Sequence, residues 1–235
     1  MKSALQGLKV VECATVVAAP LCGRLLADFG AQVLHVEHPQ KGVRLIGLDR
    51  ADKRNAIGVE MTLALHDALW SLRATTEIRS VVIHGIGGHF CAGMDLKDFF
   101  DNSNRDVETL RRARAATEEW RCHLIRNLPQ KLFVAIEGYC LGAALPIVQS
   151  AQHVVAHPNA RFGLPELNFG FVPGGQIIKS VGLAMPPKAL SYLALTGKLI
   201  EADQARRWGL VDEVVETAPL ERALALACQW AGQAH

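Results

Sequence analysis

Long apolar runs are missing from this sequence. No stretch approaches about 20 uninterrupted apolar residues, which excludes a transmembrane helix. The opening MKSALQGLKVVECATVV is broken by Glu12 and shows no clean cleavage site, so it does not read as a signal peptide. The six cysteines (Cys13, Cys22, Cys91, Cys122, Cys140 and Cys228) include no C-x-x-C pair and no Cys/His group at zinc-like spacing. They read as reduced thiols of a cytoplasmic protein, several of them buried. Charge of one sign is lacking as well: 25 Lys and Arg against 23 Asp and Glu leave a net +2, too balanced to bind nucleic acid by bulk charge. GIGG (85–88) lacks the Lys-Ser/Thr of a phosphate loop. His84 and His89 flank a turn, and His35 and His38 alternate on a strand. None of these has ligand spacing, and nothing implies a metal or a redox cofactor. There is no internal repeat and no low-complexity tract.

What is present is half hydrophobic and one-fifth charged over 235 residues. That suits one large domain, or one domain with an appendage. Strand patterns at 8–17, 31–38 and 43–50 flank a proline-initiated helix over 21–30, and PQKG marks a hairpin turn between the last two strands. Leu65, Leu69 and Leu72 give helical spacing over 61–77. Further strands are expected at RSVVIHG, KLFVAIEG (131–138), HVVAHP and VDEVV (211–215). Further helices are expected at 104–127 (charged, amphipathic and solvated), from Ala143 to Gln152, and at 187–195, 201–208 and 219–232. This alternation argues an α/β fold. The one candidate boundary lies near 31–42.

Three stretches carry chemistry. In HFCAGMDLKDF (89–99) a strand ends and the chain turns through small residues, freeing backbone amides near Gly93 and Met94. In EGYCLGAALP (137–146) a strand ends and a helix begins, and helix N-termini carry unpaired N–H groups and partial positive charge. Two such amides aimed at one point would hold a thioester carbonyl and stabilise the enolate formed on loss of an α-proton. RFGLPELNFGFVPGG (161–175) sets a single carboxylate, Glu166, among apolar neighbours, where burial raises its pKa and suits it to proton transfer near neutrality.

In order and spacing, LDRADKRNAI, HFCAGMDLKDF, GYCLGAALP, FGLPELNFGFVPGG and LTGKLIEADQARRWGLVDEVV resemble the crotonase (enoyl-CoA hydratase/isomerase) superfamily over about 33–235. The resemblance implies a ββα superhelix, assembled as a homotrimer or hexamer. It implies an acyl-CoA thioester as substrate, with coenzyme A as part of that substrate and no permanent cofactor. It places the N–H groups of Met94 and Ala143 in an oxyanion hole and makes Glu166 the general acid/base. It sets Lys53, Ala92, Asp95 and Leu96 against the coenzyme A moiety, and Phe99, Pro146 and Phe169 around the acyl group. GMDLKDFF, Trp120 and FGLPELNFG look most like the hydroxycinnamoyl-CoA hydratase-lyases, which hydrate feruloyl- or coumaroyl-CoA and release an aromatic aldehyde and acetyl-CoA.

The sequence departs from that family at four places. Pro146 stands where typical hydratases carry a second glutamate, and Phe99 where the hydratase-lyases hold the substrate phenol with a tyrosine. Ala143 and Ala144 replace loop glycines, which is tolerable if their φ angles are negative. The chain stops at His235, short of the usual C-terminal helices. Residues 1–42 instead resemble the N-terminal β-α-β of family III coenzyme A transferases, so that 1–32 reads as a β-α appendage to a 33–235 acyl-CoA domain. The expected activity is a hydratase/lyase with one glutamate. The alternatives are a Δ3–Δ2 enoyl-CoA isomerase and a non-catalytic thioester-binding or subunit protein.

Overall fold

The computed structural model describes residues 9–13, 32–40, 42–100, 106–174 and 176–233. Its main sheet is built from β1 (Lys9–Cys13), β2 (Gln32–Gln40), β3 (Val43–Asp49), β4 (Ser80–Gly85), β5 (Lys131–Ile136), β7 (His153–Ala156) and β10 (Glu213–Val214), in the order β1-β2-β3-β4-β5-β7-β10. All neighbours run parallel except β2 and β3, which form the expected antiparallel hairpin. A smaller sheet takes β6 (Tyr139–Leu141), β8 (Arg161–Gly163) and β9 (Ile200–Glu201), three short strands that the sequence pattern does not reveal. The helix expected over 21–30 lies outside the described residues.

The central strands are apolar almost throughout because both faces of the sheet are covered. Alternation sorts their side chains between two cores. Ile46, Leu48, Val81, Ile83, Leu132, Val134 and Ile136 face the larger core, where α1 (Val59–Arg73) packs Met61, Leu65, Leu69 and Leu72. Val43, Leu45, Val82, Phe133 and Ala135 face the other side, against Ala223, Ala227 and Ala231. These alanines recur every four residues on α8 (Pro219–Gly232), so one smooth stripe lies close against the strands.

The remaining helices are α2 (Leu96–Phe100), α3 (Val107–Glu119), α4 (Leu145–Ser150), α5 (Ile177–Val181), α6 (Pro187–Thr196) and α7 (Ala202–Arg207). The solvated helix expected over 104–127 differs in two ways. Only α3 is regular helix, capped by Asp106 on the Thr109 N–H, and it buries Leu110, Ala113, Ala116 and Thr117. From Trp120 to Leu124 the chain widens into a π turn, in which the Ile125 N–H donates to the Trp120 carbonyl, and a 3-10 turn (Ile125–Asn127) follows. Trp120, Arg121 and Cys122 are buried there. No described helix is long and apolar enough to cross a membrane.

Candidate active site

The segment after β3 organises the first loop. Asn55 is fully buried in a left-handed conformation (φ 57°). Its amide nitrogen donates to the carbonyls of Ile86 (2.9 Å) and His89 (2.7 Å), while its oxygen accepts from the Arg50 N–H (2.8 Å). Each hydrogen-bonding group of this internal side chain thus finds a partner, as burial demands. The Ile57 N–H donates to the Gly93 carbonyl (2.7 Å) and the Asp95 N–H to the Ile57 carbonyl (3.0 Å). On its other side the same loop joins β6: the Cys91 N–H donates to the Tyr139 carbonyl (2.7 Å), and the Leu141 N–H to the Cys91 carbonyl (3.0 Å). The two glycine-containing loops are therefore stitched together directly.

Glycine is required at two points of this junction. Gly93 (φ 94°) passes so close to the second loop that a Cβ would lie 3.0 Å from the Leu141 oxygen. Gly142 has φ 51°, and a Cβ there would lie 2.8 Å from Glu166 Oε1. Neither Ala143 nor Ala144 has a positive φ, so the condition for replacing glycine by alanine is met. The N–H groups of Met94 and Ala143 donate to no backbone carbonyl of another described element.

Met94, Ala143 and Glu166 border one cavity of about 290 Å³, together with Ala92, Leu96 and Phe169. Glu166 enters it from a 3-10 turn, Pro165–Phe169. Its Oε2 is buried without a hydrogen-bond partner among the described residues. Loss of solvent raises its pKa above the usual carboxylate value, opposed only in part by its own backbone N–H. It is the one carboxylate among the described lining residues.

Four residues singled out by the sequence lie away from the described lining of this cavity. Lys53 is exposed on the 3-10 turn Ala51–Lys53. Asp95 is engaged in the scaffold: its Oδ2 accepts from Arg50 Nη1 (2.8 Å) and its Oδ1 from the Asp98 N–H (3.2 Å). Phe99 is buried with Val59, Leu63 and Leu110, because α2 turns that side inward. Its neighbour Phe100 borders the cavity instead. Pro146 is buried in the first turn of α4, where its missing N–H is not needed. The cavity also has walls that sequence reading does not single out: Phe171, Val172, Ile177 and Arg121. The available signal for Arg121 is its place between Trp120 and Cys122, where the charged face of α3 gives way to an apolar stretch.

The thiols take no visible part. Cys91, pushed up to about 12, and Cys140, raised well above the usual thiol value, owe their high pKa values to complete burial. His89 is structural: its Nδ1 accepts from the Tyr139 N–H (3.2 Å) and its ring stacks on Tyr139. Among the described residues no group of three or more His, Cys, Asp or Glu is placed to hold a metal ion.

Comparison with known proteins gives two family matches. The model described as enoyl-CoA hydratase/isomerase matches residues 38–235, and that of CoA-transferase family III matches residues 5–57. The mevalonyl-coenzyme A hydratase sidH of Aspergillus fumigatus is 34% identical over 187 residues, and the hydroxycinnamoyl-CoA hydratase-lyase of Pseudomonas fluorescens is 28% identical over 182 residues. Each alignment takes in 77% of this chain and 66% of the relative, so the chain spans just under two thirds of the curated relatives it matches. The crystal structure of an enoyl-CoA hydratase from Bacillus anthracis superposes with a TM-score of 0.76 at 26% identity, covering 85% of this chain and 77% of that one. The crotonase-type fold expected from the motifs is thereby established.

Proposed function

This chain belongs to the enoyl-CoA hydratase/isomerase family, and we propose that it is an acyl-CoA hydratase/lyase that stabilises a thioester enolate and moves a proton with one glutamate. The observation that carries the reading is a shared cavity: a half-buried carboxylate, its Oε2 without a hydrogen-bond partner among the described residues, borders it together with Met94 and Ala143, whose N–H groups donate to no backbone carbonyl of another described element. In this reading the Met94 and Ala143 N–H groups hold the thioester oxygen, strengthening as negative charge develops on it. In hydration, water bonds through its oxygen to C3 and gives one proton to the Glu166 carboxylate, which passes it to C2 of the enolate. In the lyase step Glu166 takes the proton of the 3-hydroxyl, the C2–C3 bond breaks to release the aldehyde, and the proton returns to C2 of the thioester enolate.

One observation favours a second chemistry on the same residues. With Pro146 inside α4 and one carboxylate on the described cavity lining, a Δ3–Δ2 isomerisation is well served, because Glu166 alone takes a proton from C2 and returns it at C4. Ala92 and Leu96, at the cavity edge, are assigned to the coenzyme A side, and Phe169 to the acyl side. Lys53, exposed on the turn before the first loop, is assigned to the phosphate or pantetheine part of coenzyme A from the family resemblance. The reading extends to a cytoplasmic homotrimer or hexamer. Leu183 (69% exposed) and Leu195 (74%) provide apolar surface for such an assembly. Residues 1–32 are read as an appendage to the 33–235 domain, joined through β1.

The test is turnover of 2-enoyl, 3-enoyl and hydroxycinnamoyl thioesters followed by mass spectrometry, beside Glu166→Gln. The expected outcome is a product that falls by about a hundredfold or more in the variant, the usual size of a lost acid/base. The thioester consumed assigns hydration, isomerisation or cleavage. Binding without any turnover would move the chain to a non-catalytic role.

A further inference from the structure

The cavity contains a cation with no counterion among the described residues. Arg121 is 7% exposed and lines the cavity. It makes no hydrogen bond or ion pair with the described residues, and its Nε is buried without a partner. A guanidinium is a cation with donors only, and one shut away from water needs an anion or acceptor. The sheltered Arg50 shows the ordinary solution: it donates to Asp95 Oδ2 at 2.8 Å and to the Ala56 carbonyl at 3.0 Å. Glu166 does not play that part for Arg121. No ion pair joins it to a cation among the described residues, its Oε2 has no partner there, and burial raises its proton affinity.

The backbone holds Arg121 in this position. The π turn is anchored by Trp120, Leu124 and Ile125 in the large core. Widened turns of this kind concentrate where a helix must present a side chain to a site. Apart from Arg121 and Glu166 the described side chains of the lining are apolar, with Phe169, Phe171, Val172 and Ile177 among them. A ligand matching this surface has an apolar body, a polar reacting group and a separate anionic group.

The geometry points to Arg121 as the residue that selects the acyl group, by receiving a carboxylate at its far end, so that the substrates are monothioesters of dicarboxylic acids. This assignment rests on the thioester reading and deepens it. The planar fork of the guanidinium matches a carboxylate with two parallel hydrogen bonds. The coenzyme A phosphates are a poorer match, because they are the most strongly hydrated part of the ligand and Arg121 is shut off from solvent.

Saturated thioesters test this without depending on catalysis. Binding of glutaryl-CoA, pentanoyl-CoA and free coenzyme A is measured by titration calorimetry with the wild-type chain, Arg121→Met and Arg121→Lys. The expected result is that the wild type prefers glutaryl-CoA to pentanoyl-CoA by ~30-fold or more, as a desolvated charge pair provides. Arg121→Met loses the preference but keeps its affinity for pentanoyl-CoA, and Arg121→Lys recovers part of the preference. The melting temperature of Arg121→Met should hold or rise, since an unpaired buried charge has been removed. Equal wild-type affinities for the two thioesters would overturn the assignment while leaving the thioester site intact. A loss shared by free coenzyme A would overturn it in favour of phosphate binding, and a sharp fall in melting temperature in favour of a structural role. Binding of none of the three would bring down the thioester reading itself.

Discussion

Glu166 links stability to pH in a direction that can be worked out. Burial raises its folded pKa above the ordinary 4.5. The folded chain therefore binds more protons than the unfolded chain between the two values. Its contribution to stability is complete below the unfolded value and is lost as pH rises through the folded one. Urea titrations of wild type and Glu166→Gln should show the difference between them (wild type minus variant) falling across that window and flat on either side. Under the proposed function the same group should set a limb of the pH profile of kcat/KM: a rise with pH would mark a base, a fall an acid. Gly142 leaves room for this carboxylate, since a Cβ there would lie 2.8 Å from Glu166 Oε1. Gly142→Ala should cost on the order of 1–2 kcal/mol for its left-handed backbone. It should also lower kcat/KM at least about tenfold through the displaced carboxyl, measured by urea unfolding and steady-state turnover. Glu166 was singled out in the sequence by its place in FGLPELNFGFVPGG among the ordered family-like motifs, because a lone carboxylate beside apolar neighbours is by itself more often a surface or capping group. Arg121 was not, since its inward direction depends on a one-residue widening of the helix that no apolar period announces. Phe99 and Phe100 show the same difficulty: both are aromatic and adjacent, and only the path of α2 decides which one meets the cavity.

At the scale of elements, legibility followed sequence length. The β2–β3 hairpin, α1 and α8 extend far enough for periodicity to show, and all three form. The strands β6, β8 and β9, two or three residues each, have no period of their own and exist because backbone partners are brought to them. Yet β6 is the element that locks the two loops together, so part of the site's support was invisible in the sequence. The sheet side opposite α1 depends instead on small side chains. Ala223 is 0% exposed against the strands. Ala223→Leu should destabilise by about 1–3 kcal/mol through overpacking, read as a lower urea midpoint with an unchanged slope.

For the molecule as a whole, the unusual feature is a sheet continued by a strand from the segment that matches the transferase family. β1 pairs in register from Lys9↔Gln32 to Cys13↔Val36. Removing residues 1–31 replaces the five-residue edge strand β1 with the nine-residue β2 as the edge, and longer open edges invite pairing between molecules. The shortened chain should therefore associate more strongly in light scattering. Its affinity for the thioester that the full chain binds should stay within about threefold, because separated sites act independently. The overlap of the two family matches at 38–57 covers the hairpin's second strand, the segment that both descriptions share.

The π turn gives the lineage a simple route to new chemistry. A ring closed from residue i to i+5 contains one residue more than an α-helical ring. Deleting any single residue there would restore the ordinary spacing and swing the preceding side chains by about 100° around the helix axis. One codon lost between 122 and 124 would turn the guanidinium away from the cavity and leave Gly93, Gly142 and Glu166 unchanged in sequence. Substrate choice in this scaffold is thus open to insertion and deletion, and the apparatus that handles the thioester need not change with it.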